Sequence, residues 1–292
     1  MNAVSPSQRA WIPFVALCIV WGTPYFFVKL AVKEVAPVTV AFCELALGAA
    51  VLTPIAWRQG ALSGLRSHAW AVGGVAFTQL VVPVTLIDIG ERWATSSLAG
   101  ILIATVPLLV LAVAPFFGVR EPLDGRRTLG LLMGFGGVVA MLGIDPVTAP
   151  HGWAGVACLL VAALGYATGP LIVQRHLASA SGLGAAAASM LVAALTLLPA
   201  AVLSLPATVP SPTALASILA LGALCSACGL WLYFWVITAA GAARATIITY
   251  INPAVASLLG ATLLHEPFGA GAALGLPLIL LGSWWATQRR AK

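Results

Sequence analysis

Charge is scarce in this sequence. Asp, Glu, Lys and Arg make up 8% of its 292 residues, against about 25% in an ordinary soluble domain, too few to cover a water-facing surface. Soluble enzymes and solvated binding modules are excluded on that ground. Catalytic spacings are missing as well. There is no His-Glu-x-x-His, no Gly-x-Ser-x-Gly and no Walker loop, and the four histidines (His68, His151, His176, His265) fall at the ends of apolar runs or between them. ATP hydrolysis by this chain is therefore not expected, an intramembrane enzyme fits poorly, and no metal or other cofactor is called for. The five cysteines (Cys18, Cys43, Cys158, Cys225, Cys228) all lie inside apolar runs, which suits small buried residues rather than a disulfide framework. The Cys225-x-x-Cys228 pair lacks the βαβ pattern of a redox motif and reads as helix packing. No small-residue cleavage site follows the first apolar run, so no secretory leader is expected.

Long hydrophobic runs are what the chain has instead: 61% of its residues are hydrophobic. A spanning helix needs about 20 apolar residues to cross about 30 Å of hydrocarbon. Ten such runs follow one another, at 11–32, 37–57, 69–90, 95–118, 125–143, 152–174, 183–205, 213–238, 242–264 and 268–288. Backbone groups in lipid must bond within their own segment, and the alternating strands of a barrel are absent, so the runs read as helices. The expected class is an all-α integral membrane protein with ten transmembrane helices in a lipid bilayer. Positive charge near span ends sets orientation. With the amino terminus inside, Arg9, Arg58, Arg66, Arg120, Arg126, Arg127, Arg175, Arg244, Arg289, Arg290 and Lys292 are cytoplasmic, and only Lys29, Lys33 and Arg92 lie opposite. Both termini are thus expected in the cytoplasm. The net charge of +6 is explained by topology and calls for no nucleic-acid partner.

The chain also repeats itself. "EPLDGRRTLGLLMGFGG" from Glu121 matches "EPFGAGAALGLPLILLG" from Glu266 at an offset of 145, with six of seventeen positions identical. The same offset lays Trp21 on Tyr166, Thr23 on Thr168 and Val28 on Val173, and one further residue brings Pro107 onto Pro253. Residues 1–145 and 146–292 read as two copies of a five-span unit. Because five is odd, the second copy enters the membrane from the opposite face, giving two inverted five-helix repeats, the architecture of alternating access.

"WGTPYFFVK" at residues 21–29, "EPL" and "EPF" before the last span of each half, and ten helices in this length together resemble the drug/metabolite transporter superfamily, in its EamA branch of bacterial exporters. The resemblance covers essentially the whole chain. It implies a secondary transporter of the bacterial inner membrane that exports small metabolites, amino acids foremost and aromatic ones among them, and that works as a monomer or weak homodimer. A drug transporter or a carrier of another metabolite is the alternative. The second span departs from the resemblance: Glu44, within "FCELA", stands where many relatives carry an arginine.

Glycine and proline interrupt particular spans: Gly22 and Pro24 in the first, Gly169 and Pro170 in the sixth, Pro83 in the third, and Pro107 and Pro253 in the fourth and ninth. A proline inside a helix removes a hydrogen bond, a loss that a membrane bundle repairs from neighbouring helices or a wet cavity. These positions are expected to bend and gate the pathway. Polar and aromatic residues near mid-span in the kinked helices or their repeat mates are the expected substrate contacts: Trp21, Thr23, Gln79, Thr105, Tyr166, Thr168, Trp231, Tyr250 and Asn252. Glu44, deep in its span, is a candidate proton-coupling group. Asp88 and Glu91, near the outer mouth with Lys29, Lys33 and Arg92, read as solvated loop charge, with attraction or gating of a zwitterion as the alternative. Glu121 and Glu266, each before a proline, read as complements to the positive end of the helix that follows. Gly130-x-x-x-Gly134 and Gly271-x-x-x-Gly275 permit close helix contact and are expected at a packing or dimer surface.

Overall fold

The computed structural model describes residues 15–118, 125–144, 151–230, 232 and 248–287, and the described residues form helices and turns with no strand. The helices are α1 (Val15–Ala31), α2 (Pro37–Arg58), α3 (Leu65–Gly90), α4 (Ser96–Phe117), α5 (Gly125–Ile144), α6 (Gly152–His176), α7 (Gly182–Leu203), α8 (Pro212–Cys228), α9 (Ile248–Leu263) and α10 (Ala270–Thr287). Five of these, α2, α3, α4, α6 and α7, are long and apolar enough to cross a membrane, with mean hydropathy from 1.7 to 2.5. The alanine-rich seventh run is among them. The other five contain shorter apolar segments.

Local chemistry sets the helix starts. Thr95 accepts a hydrogen bond from Leu98 N at 3.1 Å, and Ser211 accepts one from Ala214 N at 3.2 Å, each satisfying a donor that the first turn leaves free. Pro37 and Pro212 occupy the first helical turn, where a missing N–H costs nothing.

Four helices are not regular. α1 breaks at Thr23, and Pro24 opens a second piece, Pro24–Ala31. α4 breaks at Ala104 and Thr105, and Pro107 lies in the first turn of the piece that follows. α3 carries a π-helical stretch, Ala76–Val81, just before Pro83. A fourth irregularity matches the third: α8 turns π-helical over Ala220–Cys228, and adding 145 to 76–81 gives 221–226, inside that stretch.

Packing runs between the halves. α5 lies against α10, α2 against α7, α4 against α9, α1 against α8 and α3 against α6. Exchanging the first five helices for the last five leaves the first three pairs unchanged and turns α1–α8 into α6–α3. The set of contacts therefore maps onto itself. The α5–α10 seam is built on glycine: a Cβ on Gly137 would meet Gly275 O at 2.8 Å, and one on Gly275 would meet Gly137 O at 2.6 Å. Backbone touches backbone there, as small residues allow in membranes. The small-residue motifs thus serve packing inside one chain at Gly134 and Gly275.

Candidate functional site

The break in α1 faces the π-helical stretch of α8. Trp21 Nε1 donates to Cys225 O at 3.1 Å, and the Thr23 hydroxyl lies 3.4 Å from Cys225 Sγ and donates to Val20 O at 2.7 Å. A π-turn widens the helix and loosens its carbonyl ladder, which is how a main-chain oxygen of α8 becomes available to an indole from another helix. Next to it, the Ser226 hydroxyl donates to Glu44 Oε1 at 2.6 Å, bringing α2 to the same junction. Glu44, Trp21 and Thr23 are thus gathered around one distorted turn of α8. Cys225 belongs to this junction through its thiol and its carbonyl.

The equivalent junction in the other half joins α3 to α6. Gln79 lies in the π-helical stretch, its amide oxygen buried without a hydrogen-bond partner. The side chain occupies the space a Cβ on Gly169 would need, so Gly169 is what lets it approach α6. Tyr166 packs beside the core that includes Tyr25, Ile101 and Leu159. The hydroxyls of Thr105 and Thr168 fold back onto their own helices, to Leu102 O at 2.6 Å and Gly165 O at 2.9 Å. Asn252 Oδ1 is buried without a partner. Trp231 and the side chain of Tyr250 lie outside the described residues.

Among the expected bending positions, Gly22 is buried against Val255 of α9, and Pro83 and Pro253 are buried within their helices. Pro107 is half-buried. Pro170 is on the outward face of α6, which runs unbroken past it.

A third group of residues differs from its sequence reading in burial. Asp88 and Glu91, expected as solvated loop charge, are fully buried, and none of their four carboxylate oxygens has a hydrogen-bond partner. Beside them the Lys29 ammonium donates to Glu91 O and Ala94 O, each at 2.6 Å, and lies 3.9 Å from Glu266 Oε1. Glu266 Oε2 accepts from Ser96 N at 2.8 Å. Glu266 therefore complements the start of α4 rather than the helix that follows it, because the chain fold brings the α9–α10 connection onto the start of α4. Glu121 lies outside the described residues. The Ser96 hydroxyl donates to Tyr25 O at 3.2 Å. The spacing of Asp88 and Glu91, three apart at the end of an apolar helix, was the available signal that both side chains share one face.

On the same side of the bundle, Glu34 accepts from Ser211 N at 2.7 Å and from the Ser211 hydroxyl at 2.6 Å. Those two bonds hold the Glu34 carboxyl below its ordinary value of 4.5. Lys29–Glu266 and Glu34–Ser211 each tie the first half of the chain to the second.

The bundle and its matched distortions have counterparts among known proteins. The inner membrane transporter YedA of Escherichia coli K12, itself uncharacterized, is 28% identical over 252 residues, covering 84% of this chain and 79% of that protein. An uncharacterized transporter of Archaeoglobus fulgidus is 22% identical over 97% of this chain and 100% of its own, and the uncharacterized transporter YoaV of Bacillus subtilis is 22% identical over 96% and 97%. One crystal structure superposes with a TM-score of 0.66 over 96% of each chain at 19% identity, a likeness of fold. Residues 9–143 and 153–288 each match the EamA-like transporter family, so the same family pattern occurs once in each half. With both halves carrying that pattern around a helical membrane bundle, the chain belongs to the EamA-like transporter family.

Proposed function

We propose that this protein is a secondary transporter of the bacterial inner membrane that exports small metabolites, amino acids foremost, including aromatic and apolar ones. Residues 1–145 and 146–292 form two inverted five-helix repeats, ten spans in all, with both termini in the cytoplasm. Transport is by alternating access between the two halves. The observation that carries this reading is the pair of π-helical stretches at one repeat offset, Ala76–Val81 and Ala220–Cys228, each facing a helix of the other half. π-turns inside helices recur at functional positions. Here one adjoins Trp21 and Thr23, and the other carries Gln79 against α6.

Substrate contacts in this scheme come from Trp21, Thr23, Gln79, Thr105, Tyr166, Thr168, Trp231, Tyr250 and Asn252. An aromatic, mostly apolar wall with a few orienting polar groups suits a zwitterion with an apolar side chain. In this scheme Glu44 couples a proton to the movement, a reading supported by its hydrogen bond from Ser226 at the α8 distortion. The test is flux of labelled amino acids through liposomes containing the purified protein, with and without an imposed pH gradient. Saturable flux above empty vesicles is expected. No flux for any amino acid overturns the substrate, and flux indifferent to the pH gradient removes Glu44 as a proton carrier.

A further inference from the structure

The buried acidic group at the end of α3 has features that packing alone does not explain. Asp88 and Glu91 are 0% exposed, and all four of their carboxylate oxygens lack a hydrogen-bond partner, the Ser96 hydroxyl beside Glu91 donating instead to Tyr25 O. Buried carboxyl groups are normally satisfied, because stripping them of water without replacement is costly. Their position compounds this: α3 ends at Gly90, with Glu91 as its C-cap. The carboxyl end of a helix carries negative partial charge and favours cations. Two acidic side chains there oppose the helix dipole.

The surroundings supply too little positive charge to balance them. Asp88 lies within electrostatic reach of Glu44 from α2 and of Glu91, and Glu91 within reach of Lys29 from α1 and of Glu266 from the α9–α10 connection. Glu91 and Glu266 share the Lys29 ammonium, while Asp88 has only the carboxyl groups of Glu44 and Glu91 in reach and no cation among the described residues. That ammonium already holds two main-chain oxygens at 2.6 Å and leans toward Glu266. Arg92 is exposed and stacks over Trp93 at 6.0 Å, and Lys33 is exposed. Tyr25 and Tyr166 are in reach of Glu91 and Asp88 respectively, so aromatic rings border the group. Among the described residues no three acidic, histidine or cysteine side chains come close enough together to ligate a metal ion. Carboxyl groups spread this way, next to aromatic rings, match the ammonium of an organic solute rather than a bare metal ion.

We propose that Asp88 and Glu91 form a cation subsite that takes the ammonium group of a transported solute. This deepens the transport reading and rests on it. The solute's ammonium supplies the counter-charge that the α3 terminus lacks, and Lys29 marks the kind of ligand the neighbouring acceptors hold. Solutes bearing a primary ammonium are selected over equally sized carboxylates.

Purified full-length protein in lipid nanodiscs, melted in the presence of n-butylammonium chloride or of sodium butyrate at equal ionic strength, tests this. The amine raises the melting temperature in a saturable way and butyrate does not. Asp88→Asn and Glu91→Gln, which keep shape and change charge, each weaken the amine response by about tenfold or more, a differential of about 1.4 kcal/mol. Equal responses to amine and carboxylate, or variants within about twofold of the parent, overturn the proposal. So does a melting temperature that climbs as pH falls without amine, is levelled in both variants and ignores the amine at every pH, since a proton is then the occupant. Flux assays separate the two readings: amine binding without flux of any solute sinks the transport mechanism and leaves the subsite, whereas flux of amino acids without amine binding sinks the subsite alone.

Discussion

The two halves share a residue pattern and differ in how they bear it. In the first half, α1 breaks at Thr23 and α4 at Thr105, so Pro24 and Pro107 stand in the first turn of new helical pieces. At the matching positions of the second half, α6 runs through Thr168 and Pro170, and α9 runs through Pro253 without interruption. Proline opening a helix loses nothing, whereas proline within one forfeits a backbone hydrogen bond. One pattern therefore supports two backbone conformations, and other contacts decide which is adopted. The broken piece of α1 carries Lys29, held by Glu91 O, Ala94 O and Glu266. The described part of the second half has no such tie at its equivalent position, which is Gln174.

Breaking the comparison where it is strongest means removing Lys29. Lys29→Met leaves Glu91 and Glu266 without their partner, and loss of one member of a partly buried pair is expected to cost about 3 kcal/mol, measured as thermal unfolding in detergent. A melting temperature equal to the parent's would mean that Lys29 does not hold the broken piece in place. Next in size is the matched glycine pair. Gly22→Ala sets a methyl against Cβ of the branched Val255 and is expected to cost about 2 kcal/mol, whereas Gly169→Ala meets the amide end of Gln79, which can swing away, and Gln79 Cβ at 2.9 Å, which must shift less, and costs about 1 kcal/mol. The reverse order would show that α6, not α1, is the tightly seated helix.

The prolines sharpen the contrast further. Pro253→Ala returns a hydrogen bond to a continuous helix and is expected to stabilise by about 1 kcal/mol, while Pro107→Ala at a helix start stays within about 0.5 kcal/mol. Equal shifts in melting temperature would erase the distinction drawn between the halves. The smallest effect concerns Glu34. Its carboxyl is held below the ordinary 4.5 by Ser211, so its contribution is present above that value and is lost as pH falls through the folded one. Glu34→Gln should flatten that acid-side fall in melting temperature and leave neutral pH almost unchanged.

Much of the architecture was legible because bilayer physics writes it into composition. Runs of about 20 apolar residues predict helices wherever they occur, and helices occupy those runs, beginning and ending within a few residues of them where both ends are described; the end of the eighth run and the start of the ninth lie outside the described residues. The repeat was legible through Trp21 and Tyr166, Thr23 and Thr168, and the two Glu-Pro pairs. The sequence does not distinguish a helix that breaks at its proline from one that continues, since Pro107 and Pro253 read alike; the difference lies in tertiary contacts. The acidic group shows the same limit more sharply. Asp88 and Glu91 sit beside Arg92 in sequence and read as loop charge, yet their burial depends on α1, α2, α6 and the α9–α10 connection closing over them. Glu266 was assigned to a helix end correctly in kind and wrongly in partner, for the same reason.

The π-turn in α3 has a geometric outcome downstream. A regular helix advances about 100° in azimuth per residue, and a π-turn absorbs about one residue beyond the regular count. Everything after Val81 is therefore rotated by roughly that amount about the axis of the preceding segment. Asp88 and Glu91 owe their inward bearing to this offset: excising one residue from Ala76–Val81, so that the helix winds regularly, would swivel both carboxyl groups by about a quarter-turn, away from Lys29 and toward the flank of the bundle.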